Sequence, residues 1–257
     1  MSAKPPSSRS SLRKSWLDIT AVTAWGILLL KYAIDGTLYI LIHPSYYLLV
    51  TVTGCCLLLI GILQSWRLYR GRITPPPELH ISLLPQGLTT MLLLSTAIAG
   101  LIITPKLFTS QAAVQRGVST AGVTVTRSEA QSFRASVKPE SKTLVDWVRT
   151  LNNYPEPDAY LGQKVNINGF VFYPKDAKDL PANYLMLSRF VITCCAADAY
   201  PVALPVKFTG SRQSYPQDSW FQVKGKAIVE TFAGSRQFAI EASEIKSIPT
   251  PKNPYQE

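Results

Sequence analysis

Tyr46-Tyr-Leu-Leu-Val-Thr-Val-Thr-Gly-Cys-Cys-Leu-Leu-Leu-Ile-Gly-Ile-Leu63 holds no charged residue, and it leads into Gln64, Ser65, Trp66 and then Arg67, Arg70 and Arg72. A helix needs roughly 20 mainly apolar residues to cross a hydrocarbon core. A tryptophan and several arginines at the exit of such a run are the composition of a membrane interface. Residues 46–63 therefore read as a membrane span.

Working outward, two further runs qualify. On the N-terminal side, the stretch from Trp16 has a strong apolar core over 19–30 and then carries Lys31 and Asp35, giving an expected span over about 17–38. Lys31 and Asp35 stand at i and i+4, hence on one face. Ionisable groups at membrane depth face a partner, a wet cavity or the interface, so the pair is a candidate contact with a membrane partner as well as a structural pair at the helix end. On the C-terminal side, residues 81–103 are uncharged, although Pro85 and Gly87 predict a kinked or late-starting helix. A secretory signal peptide competes for residues 1–40, because Lys4, Arg9, Arg13 and Lys14 precede the first run, but no small-x-small cleavage site follows it.

Basic residues collect in cytoplasmic loops, which sets the orientation. The N-terminal segment has four, and the loop after the second span has Arg67, Arg70 and Arg72. The expectation is a multi-pass protein of a bacterial inner or plasma membrane, in contact with the lipid bilayer. Residues 1–15 are a basic cytoplasmic N-terminus, 16–105 the membrane domain, 106–140 a linker, and 141–257 an extracytoplasmic domain. If residues 81–103 failed to cross, that last domain would be cytoplasmic.

Composition agrees with this division. The 257 residues are 47% hydrophobic and only 16% charged, where soluble chains carry about 25% charge. The first 105 residues hold 8 Lys and Arg against 3 Asp and Glu, so each half carries +5 of the total +10. A nucleic-acid-binding arm would concentrate its charge, and this chain does not.

Residues 106–140 are rich in Ser, Thr, Gln and Ala, with only Val123-Thr-Val-Thr126 resembling a strand. Leu144, Val148 and Leu151 then fall at helical spacing, with Ser141 as the expected N-cap and Pro155 and Pro157 as the stop. From Gly162 onward, short apolar runs alternate with turn residues, the all-β signature. Strands are expected over 164–173, 184–195, 201–208, 220–230 and 237–248. Gly169 and Gly225 sit where strongly coiled strands need them, so the expected fold is a membrane-anchored α+β chain: about three transmembrane helices, then a five-stranded barrel of the oligonucleotide/oligosaccharide-binding (OB) type. A five-stranded open sandwich is the alternative.

At Tyr160-Leu-Gly-Gln-Lys-Val-Asn-Ile-Asn-Gly-Phe-Val-Phe172, at Ser188-Arg-Phe-Val-Ile-Thr-Cys-Cys-Ala-Ala-Asp-Ala-Tyr-Pro-Val202 and at Gly36-Thr-Leu-Tyr-Ile-Leu-Ile-His-Pro44, the chain resembles the YcgQ-type bacterial membrane proteins. These are described as subunits of a two-component permease, commonly encoded beside a larger multi-spanning permease. The resemblance implies a membrane architecture and a multi-spanning permease partner, and no reaction. Relatives with a His-rich loop between the second and third spans differ from this chain, which has only His80 there.

Candidate chemistry centres on Cys194 and Cys195, the cysteines outside the membrane half. If both lie in a strand their side chains point to opposite faces, and a bond between them would be strained and easily reduced. Three readings stay open: buried packing thiols, a redox pair, or ligands for a metal ion. Asp198 is a third ligand or the cap of the turn before Pro201. Two thiolates suit a soft ion such as Cu(I); a structural zinc wants four ligands, and His43 is the nearest histidine to supply one. Cys55 and Cys56, inside the second span, read as packing residues. Arg189 is a candidate anion ligand or a solvated strand residue. Phe170, Phe172 and Tyr184 are aromatic, but a basic stacking groove for nucleic acid is not expected at an extracytoplasmic address. No Ser-His-Asp set, Cys-His pair, phosphate loop or dinucleotide fingerprint can be assembled, and the β domain has no histidine to act as general base. The expected role is a non-enzymatic accessory subunit of a permease whose β domain captures or gates a ligand. A membrane-tethered thiol redox protein and a purely structural interaction module are the alternatives.

Overall fold

The computed structural model describes residues 8–70, 87–105, 109–116, 138–174, 180–232 and 234–256. The strand-like run 123–126, Pro85, His80, Arg72 and residues 1–7 lie outside the described residues. The chain divides into two compact units, Met1–Lys106 and Leu107–Glu257.

The first unit is helical: α1 (Ser8–Ile34), the single turn α2 (Leu38–Leu41), α3 (Tyr47–Tyr69) and α4 (Leu88–Ile102). Among the described residues two helices, over Leu12–Ile34 and Pro44–Tyr69, are long and apolar enough to cross a membrane. The first ends four residues earlier than expected. The chain turns there through Gly36, whose φ of 78° belongs to the left-handed region that glycine tolerates. Lys31 and Asp35 pair at 3.0 Å on the last turn, both partly exposed. The expected third span is described only as the 15 residues of α4, about 22 Å at 1.5 Å per residue and short of a roughly 30 Å core.

Glycines set the α1–α3 contact. A Cβ on Gly54 would meet the Leu30 side chain at 3.0 Å, one on Gly26 would meet Leu58 at 2.9 Å, and one on Gly61 would collide with Thr23. Residue numbers rise on one helix as they fall on the other, so α1 and α3 are antiparallel. Close backbone approach at small residues is how helices associate where no hydrophobic effect separates them from lipid. Three hydrogen bonds join α1 to α4: Thr90 Oγ1 donates to Asp18 Oδ1 (2.6 Å), Trp25 Nε1 to the Leu93 carbonyl (2.9 Å) and Tyr32 Oη to the Gly100 carbonyl (2.6 Å). Their donors and acceptors on α1 recur every seven residues and so share one face. Numbers rise together, so α4 runs parallel to α1. Leu48, Leu49, Leu59 and Ile62 stay exposed on α3. Cys55 and Cys56 are exposed on the same helix.

The second unit holds α5 (Ser110–Gln115), α6 (Leu144–Asn153), β1 (Lys164–Phe172), β2 (Tyr184–Val191), β3 (Tyr200–Lys207), β4 (Trp220–Phe232), β5 (Ser235–Ser247) and β6 (Tyr255–Gln256). Among the described residues six strands form one mixed sheet, where the sequence predicts five. Pairing runs β1–β4, β4–β5, β5–β3, β3–β2 and β2–β1, with β6 added parallel to β2. The ring closes unevenly. β1 and β2 share only the register from Phe170↔Ser188 to Phe172↔Met186, and β3 and β5 only two parallel pairs. Gly169 permits the β1–β2 approach, since a Cβ there would meet the Ser188 carbonyl at 2.5 Å. Gly225 lies at the β4 register shift opposite Glu241 and Ala242.

All eight residues of β2 are buried, because both faces are covered. Leu185, Leu187 and Val191 join the main core with Val206, Val223 and Ile240. Met186, Phe190 and Ile192 join a second core with Trp220, Tyr255 and Ala113 of α5. Thus residues 109–116, expected to be linker, pack on the sheet. The N-cap of α6 is Thr143, not Ser141. The Thr143 hydroxyl accepts from the Asp146 N–H (3.1 Å) and the Asp146 carboxylate accepts from the Thr143 N–H (3.0 Å), a reciprocal capping box that Ser141 has no partner to form. The helix buries Leu144, Val145, Trp147 and Val148 against the sheet, with Trp147 touching Tyr160 and Phe238.

Candidate functional site

β2 stops at Val191 rather than continuing through Cys195, and the reason is Asp198. Its carboxylate accepts from the backbone N–H groups of Cys194 (2.8 Å), Thr193 (3.3 Å) and Cys195 (3.3 Å). Those donors are thereby taken from the sheet ladder, and a local side-chain acceptor replaces a cross-strand carbonyl. The turn continues as a 3-10 turn over Ala196–Asp198 before β3. Adjacent cysteines therefore do not alternate across a strand. Both sulfurs come to one side of the turn, 3.7 Å apart.

Cys194 is exposed and Cys195 half-buried, and neither is in a disulfide. The hydrogen bond to the Cys195 sulfur, then the hydrogen bond and negative charge of Asp198, favour the neutral Cys194 thiol and push its pKa up to about 11. Partial desolvation acts to raise the Asp198 carboxyl, but the hydrogen bonds it accepts, led by the Cys194 N–H, hold it below its ordinary value. Cys194, Cys195 and Asp198 bring one ligand atom each within 4.8 Å of one another. The carboxylate thus serves as the cap of the turn and as the third donor of the cluster at once.

Arg116, at the end of α5, supports this turn and was not visible as a site residue in a stretch that reads as polar linker. One guanidinium nitrogen donates to the carbonyls of Ala199 (2.5 Å) and Ala196 (3.2 Å). Cation-to-carbonyl contacts of this kind close the open side of a turn.

The other expected site residues lie elsewhere. Arg189 is neither solvated nor open to an anion, at 4% exposed. It fills the seam where β1 and β2 part. Nε donates to the Asn168 carbonyl (3.2 Å), Nη2 to Asn168 Oδ1 (2.7 Å) and Nη1 to the Pro254 carbonyl (2.9 Å), while the guanidinium lies 4.7 Å from the Trp220 ring centre. Burial lowers its pKa to about 10. Among the described residues it forms no ion pair. His43 belongs to the helical unit, where its Nδ1 accepts from the Ser45 N–H at 3.3 Å. Phe170, Phe172 and Tyr184 are buried, and Phe170 stacks on Phe190 at 5.5 Å, so these rings offer no exposed platform for bases.

A family model described as the DUF1980 C-terminal domain matches residues 123–256. No curated protein and no solved structure matches the chain.

Proposed function

The chain belongs to the DUF1980 C-terminal domain family, and on that premise we propose that it is a non-enzymatic accessory subunit of a membrane permease whose β unit takes up a thiophilic metal ion at Cys194, Cys195 and Asp198. The observation that carries this reading is the convergence of two sulfurs and a carboxylate on one exposed, internally braced turn. Soft thiolate donors select thiophilic ions, and coordination itself removes the thiol protons, so the raised Cys194 pKa is no obstacle to metal uptake. It does oppose the redox alternative, because a disulfide-exchange nucleophile works as a thiolate and is normally poised near ambient pH.

The membrane part of the proposal rests on other features. α1 and α3 have the length and composition of spans, and α4 runs parallel to α1 and antiparallel to α3. A chain that crosses with α1, returns with α3 and crosses again through residues 81–103, of which α4 is the described part, satisfies those directions. It carries the β unit to the extracytoplasmic side, given a cytoplasmic, basic N-terminus. The ring of pairings β1-β2-β3-β5-β4 supports an OB-type barrel, unevenly closed. The permease partner rests on the resemblance to YcgQ-type proteins.

The test is isolation of a tagged full-length chain from native membranes under mild detergent, with metal analysis of the product. Recovery of a multi-spanning protein in fixed ratio, with metal lost in Cys194→Ser/Cys195→Ser, is expected. A chain that always emerges alone refutes the accessory-subunit reading.

A further inference from the structure

Building on the metal-uptake reading, we infer that the ion taken at the Cys194 turn is a tetrahedral divalent cation of the zinc class, held by three protein donors with the fourth position open for hand-over. Two sulfurs bonded to zinc at about 2.3 Å and separated by the tetrahedral angle stand about 3.75 Å apart. The Cys194 and Cys195 sulfurs are 3.7 Å apart, so the thiol pair is set for one edge of that tetrahedron. A linear two-coordinate ion with bonds of the same length needs its sulfurs about 4.6 Å apart, which this turn would have to open to provide.

The third donor fits the same geometry. A carboxylate oxygen on a tetrahedral zinc sits about 3.5 Å from each sulfur, and Asp198 begins with its oxygen inside the 4.8 Å cluster. An ionised carboxylate has about four lone-pair directions, and three are used by the N–H groups of Thr193, Cys194 and Cys195. The fourth accepts from the Cys194 thiol, and coordination, which removes that proton, frees it for the ion. Those three bonds also orient the carboxylate, and the Arg116 contacts to Ala196 and Ala199 fix the far side of the turn, the kind of outer support that metal ligands need.

Among the described residues no fourth protein donor joins the cluster. Within the β unit the sequence has no histidine, and the described cluster consists of these three groups. Structural zinc sites are closed by four protein ligands, whereas three protein ligands leave a fourth position for an exchangeable ligand. With Cys194 exposed, the open position is accessible to water or to a donor group on a partner.

The experiment uses the full chain in detergent with Cys55→Ser and Cys56→Ser, so that the turn holds the remaining thiols. Co²⁺ is the probe, with Zn²⁺ and then Ag⁺ as competitors. The expected result is one Co²⁺ per chain with intense tetrahedral visible bands and sulfur-to-cobalt charge transfer, displaced stoichiometrically by Zn²⁺. Cys194→Ala, at an exposed position, is expected to halve the charge-transfer intensity and weaken binding at least tenfold. Asp198→Asn is expected to weaken it tenfold or more with both thiolate bands retained. A pale octahedral cobalt spectrum in a chain that captures Ag⁺, or capture of Ag⁺ by a chain that binds neither Co²⁺ nor Zn²⁺, overturns this inference while leaving thiophilic-ion uptake standing. Failure to bind any of the three ions overturns both.

Discussion

Replacing Arg189 by Leu tests how the uneven ring of strands is held. The substitution keeps an apolar stem of similar reach in the lower part of the seam and removes the three donors that satisfy the Asn168 carbonyl, Asn168 Oδ1 and the Pro254 carbonyl. Asn168 Oδ1 keeps the Gln256 Nε2 donor at 3.1 Å, so two backbone carbonyls lose their side-chain donor. An orphaned buried acceptor costs about 1–3 kcal/mol, and loss of the guanidinium contact with Trp220 adds about 1 kcal/mol. Removing the cost of desolvating the guanidinium offsets part of this, leaving a net destabilisation of about 3 kcal/mol. With a urea slope of about 2 kcal/mol per molar, the midpoint falls by about 1.5 M. Pulse proteolysis of the detergent-solubilised full chain across a urea series reads the fraction of β unit still folded. The C-terminal strand β6, joined to Arg189 through Pro254, is expected to lose amide protection before the rest of the sheet. A midpoint within 0.3 M of the parent, taken as roughly the resolution of such a series, refutes the assignment of Arg189 as the closure of the seam.

Three further outcomes are expected. Alkylation of Cys194 by iodoacetamide should be slow at pH 8 and accelerate toward pH 11, and Asp198→Asn should shift that profile to lower pH; an unshifted profile would show that Asp198 does not act on the thiol. Because folding lowers the Asp198 pKa below its ordinary 3.8, its contribution to the turn is complete above that value and is lost as pH falls through the folded value; hydrogen exchange at Thr193, Cys194 and Cys195 should rise selectively below about pH 4, and uniform exchange across the sheet would contradict this. Thr143→Ala should cost about 1 kcal/mol by removing the capping box of α6, read as fraying of residues 144–147 in exchange, whereas Ser141→Ala should cost nothing measurable.

The sequence by itself determined what is written in local pattern. The uncharged run at 46–63 made α3 legible, and alternating apolar residues bounded by turn residues placed β1 to β5 within a few positions, because burial imposes a period that a single chain displays. The vicinal cysteines and Asp198 were legible as candidates for the same reason: they are neighbours in sequence. What the tertiary structure decided depends on partners distant along the chain. Whether β2 reached Cys195 turned on where the Asp198 carboxylate pointed, and that choice put two sulfurs on one side of a turn instead of on opposite faces of a strand. Arg189 reads as a surface charge until Asn168 and Pro254, 21 and 65 residues away, enclose it. Arg116 looks like linker until α5 docks on the second core. The two-residue β6 has no periodicity to read, and only its parallel seat beside β2 makes it a strand. Pattern reports which residues are buried; donors and acceptors find each other only when the fold brings their backbones together.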